Sequence, residues 1–543
     1  MNRFEMLSQT KTGECREVDG QSQYPLEITG IALTTPFSHE HYPLPLFSLS
    51  GAVTRSQPNL HGIKLARALV SDGIIDSITA KKTDVLALSA PQGTLETLDQ
   101  TLTRFRQLAP EKRPHIILGG SLPTYLSDRF FKKYPDLSMT IVAGWGEESF
   151  AEEVKSCSTQ GIKPQQKIIS GKTPEDYPKQ DCIPQKGEVI FHYPRVEASK
   201  GCFWGACSYC LRPWSEEQGK WKQYRSEDVL TQVSDLLKLG YTGYFEFADE
   251  EVVGTNSDNF RQIIDGLIEI KRDYPSMTFG MNMRADHIIS PEPEKQDQYD
   301  SFLLKAKKAG LSMVWMGAES YSSSHLQILH KGQRVTPEVN LEAAKKLDEL
   351  GIGVLQGFLP YHPLSKWEEL TEMVDFMEPH TNFLSKVLGS PFGFLRVQYT
   401  TSYLETVQKF ESDTNRRLIG KLDEDLLTYH CKYQDASIGL NAVYMRLVYD
   451  WINPQLKQIS VEALKGSREN KDKLDNLRLA GLKLFIRSIK QLEPLQDDLL
   501  ELQKRQLKIL DEYKKEVGII GVDVPALNDF MQRNFEEYLS SFM

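Results

Sequence analysis

Three cysteines crowd into one short run, Ala198-Ser199-Lys200-Gly201-Cys202-Phe203-Trp204-Gly205-Ala206-Cys207-Ser208-Tyr209-Cys210. Four residues separate Cys202 from Cys207, and two separate Cys207 from Cys210. Thiolates this close together select an iron–sulfur cluster or zinc, because both are soft-ligand sites. Three thiolates on a four-iron cluster leave one iron open for chemistry, whereas a structural zinc site is closed by a fourth ligand. The cysteines alone leave zinc open, with Cys182 or a histidine as that fourth ligand. The remaining cysteines, Cys15, Cys157, Cys182 and Cys431, are scattered and bring the total to an odd seven. That pattern is not a disulfide framework, and it points to a reducing compartment.

Further groups with chemical potential lie downstream. The run YFEFADEE (244–251) places Asp249 and Glu250 at a predicted strand end, where a carboxylate accepts charge-assisted hydrogen bonds from an ammonium. Arg284 closes TFGMNMR (278–284), Glu319 lies in MGAESYSSSHLQILHKG (316–332), and Gln356 sits inside GVLQGFLP (353–360). Arg284 and Gln356 read equally well as polar residues filling the interior of a barrel. Upstream, two glycine turns stand out: Gly119-Gly120-Ser121 and Gly144-Trp145-Gly146-Glu147. Glycine lets a backbone approach a bulky ligand closely. The loop SAPQGTLE (89–96) adds Ser89, Gln92 and Gly93. Any doubly wound domain has glycines after its strands, so these turns are equally structural.

The elements that must position these residues alternate in type. Apolar runs at 27–35, 83–91, 115–120 and 139–150 read as buried parallel strands, with helices at 61–73, 94–108 and near 124–133. That is a doubly wound, Rossmann-like α/β domain over residues 27–155, after a polar arm at 1–26. Residues 156–190 lack periodicity and read as a linker. Strands at 195–199, 244–249, 278–284, 312–320 and 353–360 alternate with helices at 226–239, 257–273, 299–309 and 336–350. Such βα repeats over 191–395 predict a full or partial (β/α) barrel of TIM type, with active groups where strands end. Residues 396–543 read as a helical C-terminal domain, with helices at 402–415, 421–430, 439–457 and 470–515.

Composition narrows the function classes. The 543 residues are 40% hydrophobic and 25% charged, enough apolar material for several cores. A formal net charge of −10 argues against nucleic acid as a partner, since phosphate binding needs a positive surface. No apolar run approaches the ~20 residues of a membrane span, and the first residues lack a signal peptide's apolar stretch, which predicts a cytoplasmic location and no membrane partner.

The cysteine run resembles the cluster loop of radical S-adenosylmethionine enzymes. It has one more residue between the first two cysteines than their usual pattern, and Phe203-Trp204-Gly205 resembles the variant of cobalamin-binding members. Glu319 with Lys331-Gly332 resembles a stretch of the superfamily's cobalamin and methylthiotransferase branches, and LGGSLPT (118–124) with AGWGEESF (143–150) resembles the cobalamin-binding domain upstream of many such barrels. The chain lacks the Asp-x-His-x-x-Gly motif that supplies an axial histidine in other cobalamin proteins. The resemblance implies three cofactors. A 4Fe-4S cluster would be held by Cys202, Cys207 and Cys210. S-adenosylmethionine would lie near Tyr209, Asp249, Glu250, Arg284, Glu319 and Gln356. Cobalamin would lie near Ser89, Gln92, Gly93, Gly119, Gly120, Ser121, Gly144, Gly146 and Glu147. It implies reductive cleavage of S-adenosylmethionine to a 5′-deoxyadenosyl radical and C-methylation of an unactivated carbon, or a non-methylating cyclisation or rearrangement. The expected partners are a small-molecule or peptide substrate and an electron donor such as flavodoxin or ferredoxin. A methylthiotransferase is disfavoured, because Cys15, Cys157 and Cys182 lack the spacing of that group's second cluster. A zinc-stabilised binding module is the alternative from a different class.

Overall fold

The computed structural model describes residues 4–6, 26–33, 44–56, 63–68, 83–172, 174–181, 183, 185–186, 193–211, 221–254, 257–464, 468–521 and 523–542. A seven-stranded sheet opens the fold. Its strands are β1 (Phe4–Met6), β2 (Ile28–Leu33), β3 (Ile63–Ala68), β4 (Val85–Ser89), β5 (His115–Gly119), β6 (Met139–Ala143) and β7 (Gln166–Ser170), in the order β1-β3-β2-β4-β5-β6-β7. All neighbours pair parallel except β1, which runs antiparallel to β3. The runs VLALS, HIILG and MTIVA are apolar almost throughout because helices cover both faces. Leu98, Leu102 and Phe105 of helix Leu95–Gln107 pack on one face. Helices Leu44–Ser56 and Glu147–Gln160 pack on the other through Ala52, Val53, Phe150 and Val154.

Two expectations for this unit are corrected. The helix read at 61–73 is strand β3 over Ile63–Ala68, and the helix following β2 is Leu44–Ser56. Alanine, leucine and arginine favour a helix, but the slot between β1 and β2 offers ladders on both sides, and tertiary context prevails. Part of the stretch read as a linker is β7, which extends the sheet beside β6. Its residues alternate between exposed and half-buried, as suits an edge, so no apolar run announced it.

A second sheet has five parallel strands in the order β8-β11-β12-β13-β14. They are β8 (Arg195–Val196), β11 (Tyr244–Phe247), β12 (Thr278–Met283), β13 (Leu311–Glu319) and β14 (Gly353–Phe358). A hairpin of β9 (Ser199–Lys200) and β10 (Lys222–Gln223) stands beside β8. Helices Ser226–Lys238, Ser257–Asp273, Gln296–Ala309 and Pro337–Glu349 connect successive strands. Past β14 the described residues add only isolated parallel bridges, Gln356 to Leu388 and Tyr361 to Phe394, so this is an open sheet and not a closed ring.

The C-terminal part is mainly helical: Ser402–Thr414, Ala436–Leu464, Arg468–Leu492, Leu499–Ile519 and Val524–Phe542. The last four helices merge with the second sheet in one core, where Phe485 meets the ring edges of Phe358 and Tyr361, while Tyr403, Leu404 and Val407 of the first pack in a separate cluster. The helix read at 421–430 is instead a hairpin. Strands β16 (Ile419–Asp423) and β17 (Thr428–Cys431) pair antiparallel, with β15 (Val397–Gln398) on the other side of β17. Leu427 turns at φ 51°, a conformation no helix contains. No described helix is long and apolar enough to cross a membrane.

Candidate active site

The cysteine loop leaves β9 at the carboxyl end of β8, beside the corresponding ends of the other parallel strands, where βα folds place their ligands. All three cysteines are partly exposed, and none of them is in a disulfide. The Tyr209 hydroxyl donates to Glu319 Oε1 at 2.9 Å. Glu319 ends β13 in a left-handed conformation, φ 63°, where the register to β14 shifts. Such strain in a non-glycine residue persists only where the surroundings impose it, and it clusters at functional sites. Lys331 is buried, with Nζ 3.5 Å from Glu319 Oε1. Arg284 donates to the Lys331 carbonyl at 2.9 Å, forks onto Asp286 at 2.9 and 3.0 Å, and places its guanidinium 4.4 Å over the Trp204 ring. Trp204 also covers Gly332, whose φ is 93° and where a Cβ would come within 2.6 Å of the indole. Lys331-Gly332 therefore seats the cysteine loop. Burial pushes the Cys207 thiol up, while Lys331 and Arg284 pull it down and Glu319 opposes them. Burial prevails, so the Cys207 thiol stays above its ordinary value, and the two cations offset only part of that.

Asp249 and Gln356 are engaged within the protein. Asp249 is buried and accepts from Ala198 N at 3.0 Å and Ser199 Oγ at 2.5 Å. Burial pushes its carboxyl up to about 7 against the pull of those donors. Its side chain thus braces the strand leading into the cysteine loop. Glu250 follows, half-buried. Gln356 accepts from the Tyr321 hydroxyl at 2.5 Å and donates to the Asn340 carbonyl at 3.1 Å, so both its ends are engaged inside the protein.

The first sheet contributes a cleft of about 900 Å³, its open mouth included. Ser89, Gly119, Gly120, Gly144, Gly146 and Glu147 line it. Gly120 sits at φ 100°, and a Cβ there would approach the Ala90 carbonyl oxygen to 2.6 Å. Gln92, Gly93 and Ser121 are not on the cleft lining. Gln92 Nε2 donates to the Leu426 carbonyl at 2.8 Å, Gly93 N to the Asp425 carbonyl at 2.9 Å, and Gln92 N to Ser121 Oγ at 3.0 Å. Asp425 also accepts from Leu95 N at 2.7 Å, capping helix Leu95–Gln107 from far along the chain.

One arrangement went unread in the sequence. Lys200, two residues before Cys202, is buried between two carboxylates, with Nζ 2.8 Å from Glu147 Oε1 and 2.9 and 3.0 Å from the Glu197 oxygens. The Trp145 ring lies 4.6 Å from the ammonium. Burial alone would lower the Lys200 pKa, but Glu147 and Glu197 raise it above its ordinary value. Lys200, Glu197, Glu147 and Trp145 all line the cleft, so the first unit and the cysteine strand share this wall. Glu147 Oε2 and Ser48 Oγ are buried in the same cleft without a hydrogen-bond partner among the described residues. A lysine directly after a predicted strand and beside the knot is the available signal, but its partner in the first unit lies 53 residues away. Elsewhere, His115, Glu153 and Cys157 bring ligand atoms within 4.8 Å of one another. Lys167 already pairs with Glu153 at 2.7 Å, and Ser138 and Thr140 engage His115.

Residues 196–377 match the model of the Radical SAM superfamily. A 4'-phospho-dehydrooxetanocin synthase of Priestia megaterium is 24% identical over 390 residues, 65% of this chain and 51% of its own length. An uncharacterized methyltransferase of Pyrococcus horikoshii is 24% identical over 282 residues, 48% of this chain and 57% of its own. The chain thus spans little more than half the length of these curated relatives. Among solved structures, the cobalamin-dependent S-adenosylmethionine radical enzyme OxsB, with aqua-cobalamin and S-adenosylmethionine bound, superposes with a TM-score of 0.75 at 19% identity, over 95% of this chain and 84% of its own. The radical S-adenosylmethionine methyltransferase TsrM from Kitasatospora setae, with cobalamin and a [4Fe-4S] cluster bound, gives 0.54 at 12%, over 71% and 78%. Residues 196–377 thus match the Radical SAM superfamily model, and the chain shares the fold of OxsB and, over a smaller part, of TsrM.

Proposed function

We propose that the chain is a cobalamin-dependent radical S-adenosylmethionine enzyme that methylates an unactivated carbon of a small molecule or peptide. The observation that carries the proposal is the cysteine loop itself. Through its own Tyr209 it meets Glu319, which Lys331 approaches, and through Lys200 it is joined to an apolar cleft. Three thiols near two cations fit a four-iron cluster with one iron open. Glu319 and Tyr209 offer an acceptor and a donor to S-adenosylmethionine, and Arg284 fixes the loop over them. The cleft fits cobalamin, because Glu147 Oε2 and Ser48 Oγ await donors such as the amide N–H groups on that cofactor's rim. The cofactors supply the one-electron and methyl-transfer chemistry, while the protein orients them and excludes water. Flavodoxin or ferredoxin would deliver the electron.

A second reading, cobalamin-dependent cyclisation or ring rearrangement, is favoured by the likeness to the synthase, which spans more of this chain than the likeness to the methyltransferase. Anaerobic reconstitution tests the common part. About four iron and four sulfide per chain, with broad absorbance near ~400 nm, is the expected result. Stoichiometric zinc without that band refutes it. Cys207→Ala is expected to abolish S-adenosylmethionine cleavage. Product mass separates the two readings, since methylation adds one methylene unit and rearrangement adds none.

A further inference from the structure

We infer that His362 is a positioning residue for the cysteine loop, acting through Tyr403 and His325 on Ser208; this rests on the cluster assignment proposed above. Ser208 lies between Cys207 and Cys210, and its polar atoms are all engaged. Its N–H donates to the Leu329 carbonyl at 3.1 Å and its hydroxyl to the Ile328 carbonyl at 2.8 Å. Its carbonyl accepts from Tyr403 N at 2.8 Å and Ser402 Oγ at 3.3 Å. Two elements outside the strands therefore hold the loop: helix Ser323–Ile328 with the residue after it, and the start of helix Ser402–Thr414.

Both holders converge on His362, which is 0% exposed. Its Nδ1 lies 2.7 Å from the Tyr403 hydroxyl and its Nε2 3.2 Å from Glu369 Oε2. With Glu369 ionised, Nε2–H donates and Nδ1 accepts the phenol proton, so one tautomer satisfies both contacts. The His362 ring also packs 4.5 Å from the ring of His325, which belongs to the other holder. His325 is buried as well, and its Nε2 has no partner among the described residues. Burial first, and His362 second, hold His325 well below the ordinary histidine value, so the contact is between a neutral ring and its neighbour. His362 thus fixes the distance between the two elements that grip Ser208. Shifting either moves the peptide that joins two of the three thiols.

His362→Phe keeps the ring volume but removes both hydrogen bonds. Metal centres lose about ten- to a hundredfold in activity when such outer partners are removed. S-adenosylmethionine cleavage is expected to fall by that factor in the reconstituted full chain. The reduced cluster should also show altered EPR g values and a shifted midpoint potential at unchanged iron content. His362→Gln, which donates and accepts, is expected to restore most of the wild-type signal. Phe105→Leu, an equally buried change in the core of the first sheet, controls for loosened packing and should leave the g values alone. Wild-type g values and potential in His362→Phe would overturn the inference. If that variant does not fold, Tyr403→Phe removes only the hydroxyl, and an unchanged spectrum there overturns it equally. A wild-type chain that assembles no iron–sulfur cluster brings down the underlying assignment, an outcome recognisable before any variant is made.

Discussion

Replacing Lys200 by methionine keeps the length of the side chain and removes its charge. Contacts of 2.8, 2.9 and 3.0 Å to two buried carboxylates are lost, together with the cation over Trp145. Removing one partner of a buried ion pair costs about 3–5 kcal/mol, because the remaining charge is left without compensation. At ~1.36 kcal/mol per decade, that is about 2.2 to 3.7 orders of magnitude in a local opening equilibrium. Hydrogen exchange resolves such local openings in a chain whose global unfolding is not two-state. Amides of helix Glu147–Gln160 and of strand β9 should lose protection by that factor. The pH dependence follows from Glu197, whose pKa is raised first by burial and then lowered in part by Lys200. Without the ammonium the folded carboxyl is raised further, so the folded state holds a proton that the unfolded state has released. Stability is then fully present below the unfolded value of ~4.5 and is lost as pH rises through the folded one. The defect is expected to be larger at pH ~8 than at pH ~5, and Lys200→Met/Glu197→Gln should recover part of it. A loss of protection under tenfold, or one independent of pH, would refute a dry ion triad.

Tyr209→Phe removes the bond to Glu319 and is expected to weaken S-adenosylmethionine binding about tenfold, read by equilibrium dialysis, with the iron content unchanged. Asp425→Ala uncaps helix Leu95–Gln107 and should cost about 0.5–2 kcal/mol, seen as a lower first transition in calorimetry, with Asn largely restoring it. Asp249, pushed up to about 7 by burial, contributes stability below its unfolded pKa that is lost as pH rises through about 7. Asp249→Asn should flatten that alkaline decline in thermal melts, and an unchanged slope would assign it to another group.

What could be read in the sequence was what chain spacing alone encodes. Cys202, Cys207 and Cys210 share one loop, and the strand-end positions of Arg284 and Glu319 follow from the apolar runs that precede them. The partners of Gln92 and Gly93, Leu426 and Asp425, are not legible, because they belong to a hairpin whose charged run KLDEDLLTYH reads as a helix. Lys200 was visible but not its role, since Glu147 approaches it only once the two sheets pack together. His362 offered no pattern at all. Its value depends on two neighbours, 37 residues before it and 41 after it, meeting one ring.

The cap on helix Leu95–Gln107 comes from a residue 330 positions later in the chain. At ~5–20 residues per second, a ribosome needs roughly 17–66 seconds to supply it after Leu95 has been made. Through that interval the first unit carries an unfinished helix end, and the loop holding Gln92 and Gly93 has no surface to close against. Completion of the first domain is thus deferred until the C-terminal hairpin emerges, which gives the nascent chain a long period in which chaperones or cofactors could reach the open sheet.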